Sequence, residues 1–334
     1  MKGLFRSVAS IVPNLNQRLD LHYILPFYHI IADVPPAHVK HLYRVMSPVE
    51  FEKDLDYLLK SFQPVDANEL FRTVTGNLKQ PKPLMMLSFD DGFREAVDIV
   101  IPILLKKGIP AVFFINPPFI NNQGLMLRCK ISVVIERLLE TSSTKIQDSE
   151  LKKISGFNGT SLIQYLKKMY NDSNGTIDGI AQIIGIDFNS YLSTTRPYLT
   201  ESDLEKINQL GFGIGSHGYQ HKHYSELTLN EQVNDVAQSI NWIRSRFHQQ
   251  MRLFAFPFTD FGVQSPLFSI LHDKSNPMLD ISFGTAGIRR ATYFRHLQRI
   301  PMEVKNAEAK KIVKGEILYY IAKQSVGYHN SEHG

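Results

Sequence analysis

The chain has 334 residues, 43% of them hydrophobic, a formal net charge of +5 and a single cysteine. This length exceeds that of an average domain and suits one large α/β barrel with an insertion. No run of lysine or arginine would track a phosphate backbone, and no stretch of about 18 apolar residues would cross a membrane. The lone Cys129 rules out an internal disulfide. We therefore expect neither nucleic-acid binding nor a transmembrane segment.

The N-terminal residues favour a protein that stays inside the cell. Between Met1 and Pro13, Arg6 interrupts a short apolar run and no A-x-A-like cleavage site follows, which is untypical of a signal peptide. The single cysteine is compatible with a reducing compartment. We expect a cytoplasmic location and leave a short interfacial helix at the N-terminus open. The basic isoelectric point, about 9.0, is compatible with an anionic or phospholipid-linked sugar as partner.

Strands and helices alternate in the first third of the chain. A strand is predicted over residues 23–31, and a capping box with proline at the first helical position opens a helix from Ser47 to about Ser61. Residues 84–115 read as a βαβ unit, with a helix over 93–107 that stops at Gly108. Such units imply a parallel sheet, in which ligands gather at the carboxyl ends of the strands.

The strand that begins at Leu84 ends on Asp90, Asp91 and Gly92. Two adjacent carboxylates raise each other's pKa and are costly beside a buried strand unless a cation lies between them. The glycine permits a turn that lets both carboxylates face one pocket. An exposed Asp-Asp-Gly turn is the alternative, because these are ordinary turn residues.

Helical patterns interrupt the alternation over residues 117–199. They cover 132–140, 162–169 and 177–184, separated by clusters of Asn, Ser and Gly. We predict a single domain, 1–334, with a helical insertion at 117–199. The insertion either shapes substrate choice at the barrel mouth or is an embellishment without a role at the site.

A second polar strand end lies about 125 residues after the first. A capped helix from Thr200 to Leu210 precedes a glycine-rich strand that ends at His217 and His221. The spacing of four predicts both imidazoles on one side of a single helical turn. Two imidazoles and a carboxylate form a three-ligand set that leaves a divalent metal an open position.

The last third of the sequence is predicted to contain further strands and helices of the barrel. A capped helix starts at Thr228, strands are predicted over 253–260, 280–284 and 297–302, and an amphipathic helix runs over 305–324.

The two polar strand ends resemble motifs of the polysaccharide deacetylases of the NodB-homology type, carbohydrate esterase family 4. The segment from Ser88 to Gly92 is similar to the family's Thr-Phe-Asp-Asp-Gly motif, and the segment from Ser216 to His221 to its Ser-His-x-x-x-His motif. Residues 253–260 resemble a divergent third motif. The resemblance implies a distorted (β/α) barrel and a hydrolase that removes N-acetyl groups from a carbohydrate.

The resemblance also implies roles for individual residues. Asp91, His217 and His221 would bind a divalent metal, most consistent with Zn²⁺, while Asp90 would be the general base that activates water. The backbone N–H of Phe258 would donate to the oxyanion.

Two departures from the family pattern lead to further hypotheses. The arginine that orients the base in the family would fall at Ala255, and we expect Arg299 to reach Asp90 in its place. The family's Leu-x-His motif for the general acid has no literal match, which leaves His272, His296 and His29 as candidates.

The lead interpretation is a metal-dependent amidase that acts on an N-acetylated sugar, although a formyl or O-acetyl group would suit the same chemistry. A catalytically impaired protein that binds a glycan or a metal is the alternative, supported by the altered third motif. A phosphotransferase with an aspartate nucleophile ranks lower, because that chemistry favours Asp-x-Asp spacing without imidazoles.

Overall fold

Parallel strands joined by helices make up most of the structure, a computed structural model that describes residues 2–9, 15, 22–76, 81–140, 156, 161–290 and 292–325. The strands are β1 Tyr23–Ile24, β2 Pro26–Tyr28, β3 Gln63–Pro64, β4 Leu84–Met85, β5 Leu87–Phe89, β6 Ala111–Ile115, β7 Gly213–Ser216, β8 Leu253–Ala255, β9 Ile281–Gly284, β10 His296–Gln298 and β11 Ile300–Pro301. The α-helices are α1 Lys2–Ala9, α2 Pro48–Ser61, α3 Ala67–Gly76, α4 Ile101–Lys107, α5 Leu127–Glu140, α6 Leu162–Lys167, α7 Thr176–Ile183, α8 Phe188–Thr195, α9 Glu201–Gln209, α10 Leu229–Arg246, α11 Ser265–Leu271 and α12 Ala309–Ser325.

Eight of these strands form one all-parallel sheet in the order β10-β9-β8-β7-β6-β5-β2-β11. The two edge strands are consecutive in the chain and only Arg299 separates them. The Arg299 N–H donates to the Gly284 carbonyl on one side, and the Ile300 N–H donates to the Leu25 carbonyl on the other. The chain therefore crosses from one sheet edge to the other at Arg299 and nearly closes the barrel, which confirms the predicted α/β barrel.

Local capping explains where the helices begin. The predicted capping boxes at Ser47, Thr200 and Thr228 are present, each with the side chain accepting from the third helical N–H and a reciprocal carboxylate. Gly108 ends α4 in the left-handed conformation, as predicted.

The predicted helix over residues 93–107 is two elements. A π-helical turn covers Ala96–Val100, with the Ile101 N–H donating to the Ala96 carbonyl, and α4 follows it. Pro102 has no N–H to give to the preceding turn, so an unbroken α-helical ladder cannot pass through this point.

Several predicted strands are shorter or divided. The strand predicted to begin at Leu84 becomes β4 and β5, which lie in different sheets. The segment 23–31 becomes β1 and β2, which pair with different sheets, and 297–302 is divided at Arg299. The strand predicted over 253–260 ends at Ala255, and Phe258 has a left-handed φ of 58° that no strand accommodates.

The region between β6 and β7 is helical. Helix α5 starts five residues before its predicted start, and α8 was not predicted. Buried aliphatic residues of α5, α6 and α7 pack into a small cluster of their own. The division into a domain with an insertion at 117–199 stays a prediction, and residues 141–155 and 157–160 lie outside the described ranges. No helix in the described ranges is both long and apolar enough to span a bilayer.

Close packing around β7 makes a glycine there necessary. A Cβ at Gly215 would lie 2.4 Å from the Phe114 ring and 3.1 Å from the Leu253 carbonyl oxygen. We therefore expect Gly215→Ala to lower the free energy of unfolding by about 1–3 kcal/mol, measured by urea denaturation, because an overpacked core must shift. Gly124→Ala is the matched control, since its Cβ would meet only ordinary contacts at 3.6 Å and beyond. Equal stability of the two variants would contradict this packing argument.

Candidate active site

Polar side chains from several strand ends meet in one cavity of about 340 Å³. Its lining includes residues that follow β2, β5, β7, β8 and β9, with further residues from the helical region. They are Phe27, His29, Leu42, Tyr43, Asp90, Asp91, Met126, Arg128, Cys129, Tyr170, His217, His221, Phe256, Phe258, Thr285 and Pro301. The cavity thus lies at the carboxyl ends of the parallel strands, where ligands are expected in barrels of this kind.

Asp91, His217 and His221 form a candidate metal-binding set within the described part of the chain. One ligand atom from each residue lies within 4.8 Å of the other two. The Asp91 Oδ1 atom is 3.2 Å from His221 Nε2 and 3.6 Å from His217 Nε2. Residues about 125 positions apart in the sequence therefore meet at one point, as the sequence predicts.

The chemistry of these three groups fits a divalent cation. Asp91 Oδ1 is buried and accepts no hydrogen bond, although it faces two imidazole nitrogens. Burial alone would raise the pKa of Asp91, but the neighbouring histidines, His221 first, hold it well below its usual range. His217 Nδ1 hydrogen-bonds the Ala255 carbonyl at 2.8 Å, which leaves its Nε2 toward the carboxylates. Burial lowers the pKa of His217 to about 4, so the imidazole is neutral at neutral pH and its lone pair is free.

The segment between the two histidines is a loop, and the prediction of a helical turn was wrong. Gly218 and His221 have left-handed φ values of 74° and 52°, which a right-handed helix cannot contain. The buried Asp235 carboxylate accepts the N–H groups of Tyr219 and Gln220 in place of helical carbonyls. The two imidazoles still come within 5.0 Å between ring centroids.

Arg299 forms a bidentate ion pair with Asp90. Its Nη1 and Nη2 donate to Oδ1 and Oδ2 at 2.6 and 2.8 Å, and Nη1 also donates to Ser88 Oγ at 3.2 Å. Both partners are buried, with Arg299 fully inaccessible to solvent. Burial would raise the pKa of Asp90, but the guanidinium, followed by His217, lowers it below its ordinary value. Asp90 is therefore a carboxylate held in a fixed orientation.

Phe258 lies beside the metal-binding set. Its ring is 4.5 Å from the His221 ring between centroids, and its carbonyl accepts the Thr285 hydroxyl at 3.1 Å. The left-handed φ of Phe258 reverses the peptide direction at the cavity wall. Whether its N–H donates to an oxyanion stays a prediction.

Of the three histidines considered as general acid, His29 lines the cavity. His272 and His296 are not among the lining residues, and each contacts the Ser282 hydroxyl at 2.8 Å. His29 Nδ1 hydrogen-bonds the Glu303 carboxylate. Burial opposes the charged form, but Glu303 outweighs it and raises the pKa of His29 to about 9.

Two residues at the site were not identified from the sequence. Glu303 accepts the backbone N–H groups of His29 and Ile30 as well as the imidazole N–H. Tyr43 stacks on His29 with ring centroids 4.3 Å apart and directs its hydroxyl to Asp91 at 3.4 Å. Neither lies in a motif, and Glu303 is 274 residues from its partner, so no local pattern marks either residue.

Comparisons with known proteins agree with this geometry. The family model described as polysaccharide deacetylase matches residues 77–266, more than half of the chain. The Streptococcus pyogenes deacetylase PplD, solved with acetate, is 14% identical with a TM-score of 0.56, over 88% of this chain and 97% of that one. IcaB from Ammonifex degensii is 15% identical with a TM-score of 0.55 over the same shares. BA0330 from Bacillus anthracis is 12% identical with a TM-score of 0.53, over 88% of this chain and 68% of that one. No curated protein sequence matches the chain.

The barrel and its aspartate- and histidine-bearing strand ends are those of a carbohydrate deacetylase. The chain belongs to the polysaccharide deacetylase family, and its fold is the (β/α) barrel of the NodB-like type. The family assignment made from the two motifs is thereby confirmed.

Removal of the Arg299 charge tests the buried ion pair. We expect Arg299→Met to lower the free energy of unfolding by about 3–5 kcal/mol at pH 7, because Asp90 would remain as an uncompensated buried charge. The pKa of Asp90 in the folded chain lies below its unfolded value of about 3.9, so its stabilisation is present above that pH. The difference between wild type and variant, measured by denaturation at several pH values, should therefore shrink as acid protonates Asp90.

Arg252→Met is the control for this experiment. Arg252 also forms a bidentate pair, with Asp280, but both side chains are about one-quarter exposed. Such a pair contributes about 0–1 kcal/mol. A loss at Arg299 no larger than the loss at Arg252 would contradict the role assigned to burial.

Proposed function

We propose that the protein is a metal-dependent hydrolase that removes an N-acetyl or similar acyl group from a carbohydrate. The observation that carries the proposal is the juxtaposition in one cavity of the three candidate ligands with an ionised, oriented Asp90. Family membership supports the carbohydrate and acyl parts of the proposal.

Asp91, His217 and His221 would hold the metal. A set of two imidazoles and one carboxylate suits Zn²⁺ and leaves open positions for further ligands. When bound, the ion would supply Lewis-acid polarisation of the acyl carbonyl and of water. Asp91 and His217 are held for this purpose, Asp91 by the turn at Gly92 and His217 by the Ala255 carbonyl.

Asp90 would act as the general base. Its side chain is beside the candidate ligands, with Oδ2 3.7 Å from His217 Nε2. The proton lost by water as its oxygen adds to the acyl carbon would pass to Asp90, and Arg299 would keep that carboxylate oriented. The Phe258 N–H would donate to the negatively charged oxygen that forms.

His29 would protonate the departing amine as the carbon–nitrogen bond breaks, which releases the acid and the free amino sugar. Its position in the cavity and the Glu303 hydrogen bond support this role. An imidazole with a raised pKa is protonated at neutral pH, so its proton is available for transfer to the amine.

The alternative of a catalytically impaired protein rests on two sequence departures. The Arg299 contact with Asp90 and the position of His29 each offer a substitute for a missing family residue. A cytoplasmic location stays a prediction of the sequence.

Substitutions at the ligand set and at the base should have separable effects. We expect His217→Ala to lose bound metal, measured by elemental analysis, and to lose acetate release with it. Asp90→Asn should retain metal and lower the rate of acetate release by about 10²–10⁴-fold, because proton transfer to the base is lost. His248→Ala, an exposed histidine away from the cavity, serves as the matched control. Full activity of Asp90→Asn would contradict the assignment of Asp90 as the general base.

The pH profile tests the pairing of His29 with Glu303. Glu303 raises the pKa of His29, so Glu303→Gln should lower that pKa and move the high-pH limb of kcat/KM to lower pH. His29→Gln should abolish most activity without loss of metal. Glu205→Gln, an exposed carboxylate on α9, should leave the profile in place. An unchanged limb in Glu303→Gln would contradict the role of His29 as the acid.

A further inference from the structure

One cationic side chain in the cavity forms no ion pair within the part of the chain that the structure describes. Arg128, at the start of α5, lines the cavity with Tyr170, the residue three positions after α6. The other charged groups of the lining have partners. Asp90 pairs with Arg299, His29 pairs with Glu303, and Asp91 belongs to the candidate ligand set. Within the described ranges no carboxylate forms an ion pair with Arg128, so its charge is the uncompensated one.

Of the three nitrogens of the Arg128 guanidinium, only Nη1 forms hydrogen bonds with the described residues. Nη1 donates to the carbonyls of Lys167 and Met169 at 2.9 and 2.8 Å. The guanidinium carbon lies 4.9 Å from the centroid of the Tyr170 ring. Nε and Nη2 find no acceptor among the described residues. Since a guanidinium presents its donors as a planar fork, the free edge is suited to a carboxylate or a phosphate.

Ring contacts connect the Arg128 side chain to the proposed reaction centre, and both lie in the lining of the same cavity. The Tyr170 ring that supports Arg128 meets the Phe258 ring edge to face, with centroids 5.1 Å apart. Phe258 in turn contacts His221. Because Arg128 and Phe258 line the same cavity, one molecule can contact Arg128 with an anionic group while its acyl group lies near Phe258.

The half-buried position of Arg128 also favours an anion. Burial lowers its pKa from the ordinary arginine value. A charged group that has lost part of its hydration is stabilised when an opposite charge replaces the water.

We propose that Arg128 forms an anion subsite, and that the substrate is an acetylated sugar carrying a carboxylate or a phosphate. This inference rests on the proposed function, because it describes the substrate of the same cavity.

Three matched sugars test the subsite: N-acetylglucosamine as the neutral probe, N-acetylmuramic acid for a carboxylate, and N-acetylglucosamine 1-phosphate for a phosphate. Binding is measured by titration of Asp90→Asn, the variant designed not to turn the probes over. We expect at least one anionic probe to bind about tenfold more tightly than the neutral probe at low salt, with a preference that falls as salt is added. The preferred probe identifies the anion. If both anionic probes bind less than twofold more tightly than the neutral probe, the subsite is overturned before any Arg128 variant is made.

A second set of variants, in the same Asp90→Asn background, locates the preference. Arg128→Gln should reduce the ratio of anionic to neutral affinity about fivefold or more, whereas Arg128→Lys should retain part of it. Arg137→Gln removes the same charge from an exposed position on the same helix and should leave the ratio in place. An unchanged ratio in Arg128→Gln would overturn the proposal, and would assign any anion preference to another part of the cavity.

Acetate release by the wild-type protein separates this inference from the proposed function. Equal kcat/KM for acetate release from neutral and anionic probes would overturn the subsite and support the hydrolase. Anion binding that depends on Arg128, without acetate release from any probe, would support the subsite and overturn the hydrolase.

Discussion

The buried ion pair between Arg299 and Asp90 is the interaction on which the rest of the structure depends. Arg299 is the residue at which the chain crosses from β10 to β11, so its backbone joins the two edges of the barrel. Its side chain lies over the Phe27 ring, 4.3 Å from the centroid, and ends on the Asp90 carboxylate. A charge in such a place is tolerated only with a well-matched partner. Barrel closure and orientation of the proposed base therefore depend on one residue, the first through its backbone and the second through its side chain.

Unusual backbone conformations gather around the same cavity. Asp91, His221 and Phe258 all have positive φ values, which residues other than glycine rarely adopt. Each follows a different strand, and each lies in the lining of the cavity. Conformations of this kind cost of order 1–3 kcal/mol each and persist where the surrounding fold enforces them. In this chain the barrel core and the Asp235 carboxylate supply that enforcement.

The cavity has two sides with different origins. The barrel strands supply the aspartates, the histidines and the peptide of Phe258, which are the groups that the proposed hydrolysis needs. The helical region between β6 and β7 supplies Arg128 and Tyr170, which do not take part in that chemistry but face the same space. Residues of both origins therefore line the same cavity, and a role of the helical region in substrate choice stays a prediction.

Much of the fold and the centre of the site could be predicted from the sequence, because they depend on local patterns. Capping boxes at Ser47, Thr200 and Thr228, together with the apolar strands ending in Asp90 and His217, require only neighbouring residues to be interpreted. The tertiary structure alone decided what depends on distant contacts. It divided the last strand at Arg299, replaced the expected helical turn before His221 with a loop held by Asp235, and joined His29 to Glu303 across 274 residues. The physical reason is that hydrogen bonds and ion pairs between remote segments form only when the barrel closes, and no periodicity in the sequence encodes which of them will meet.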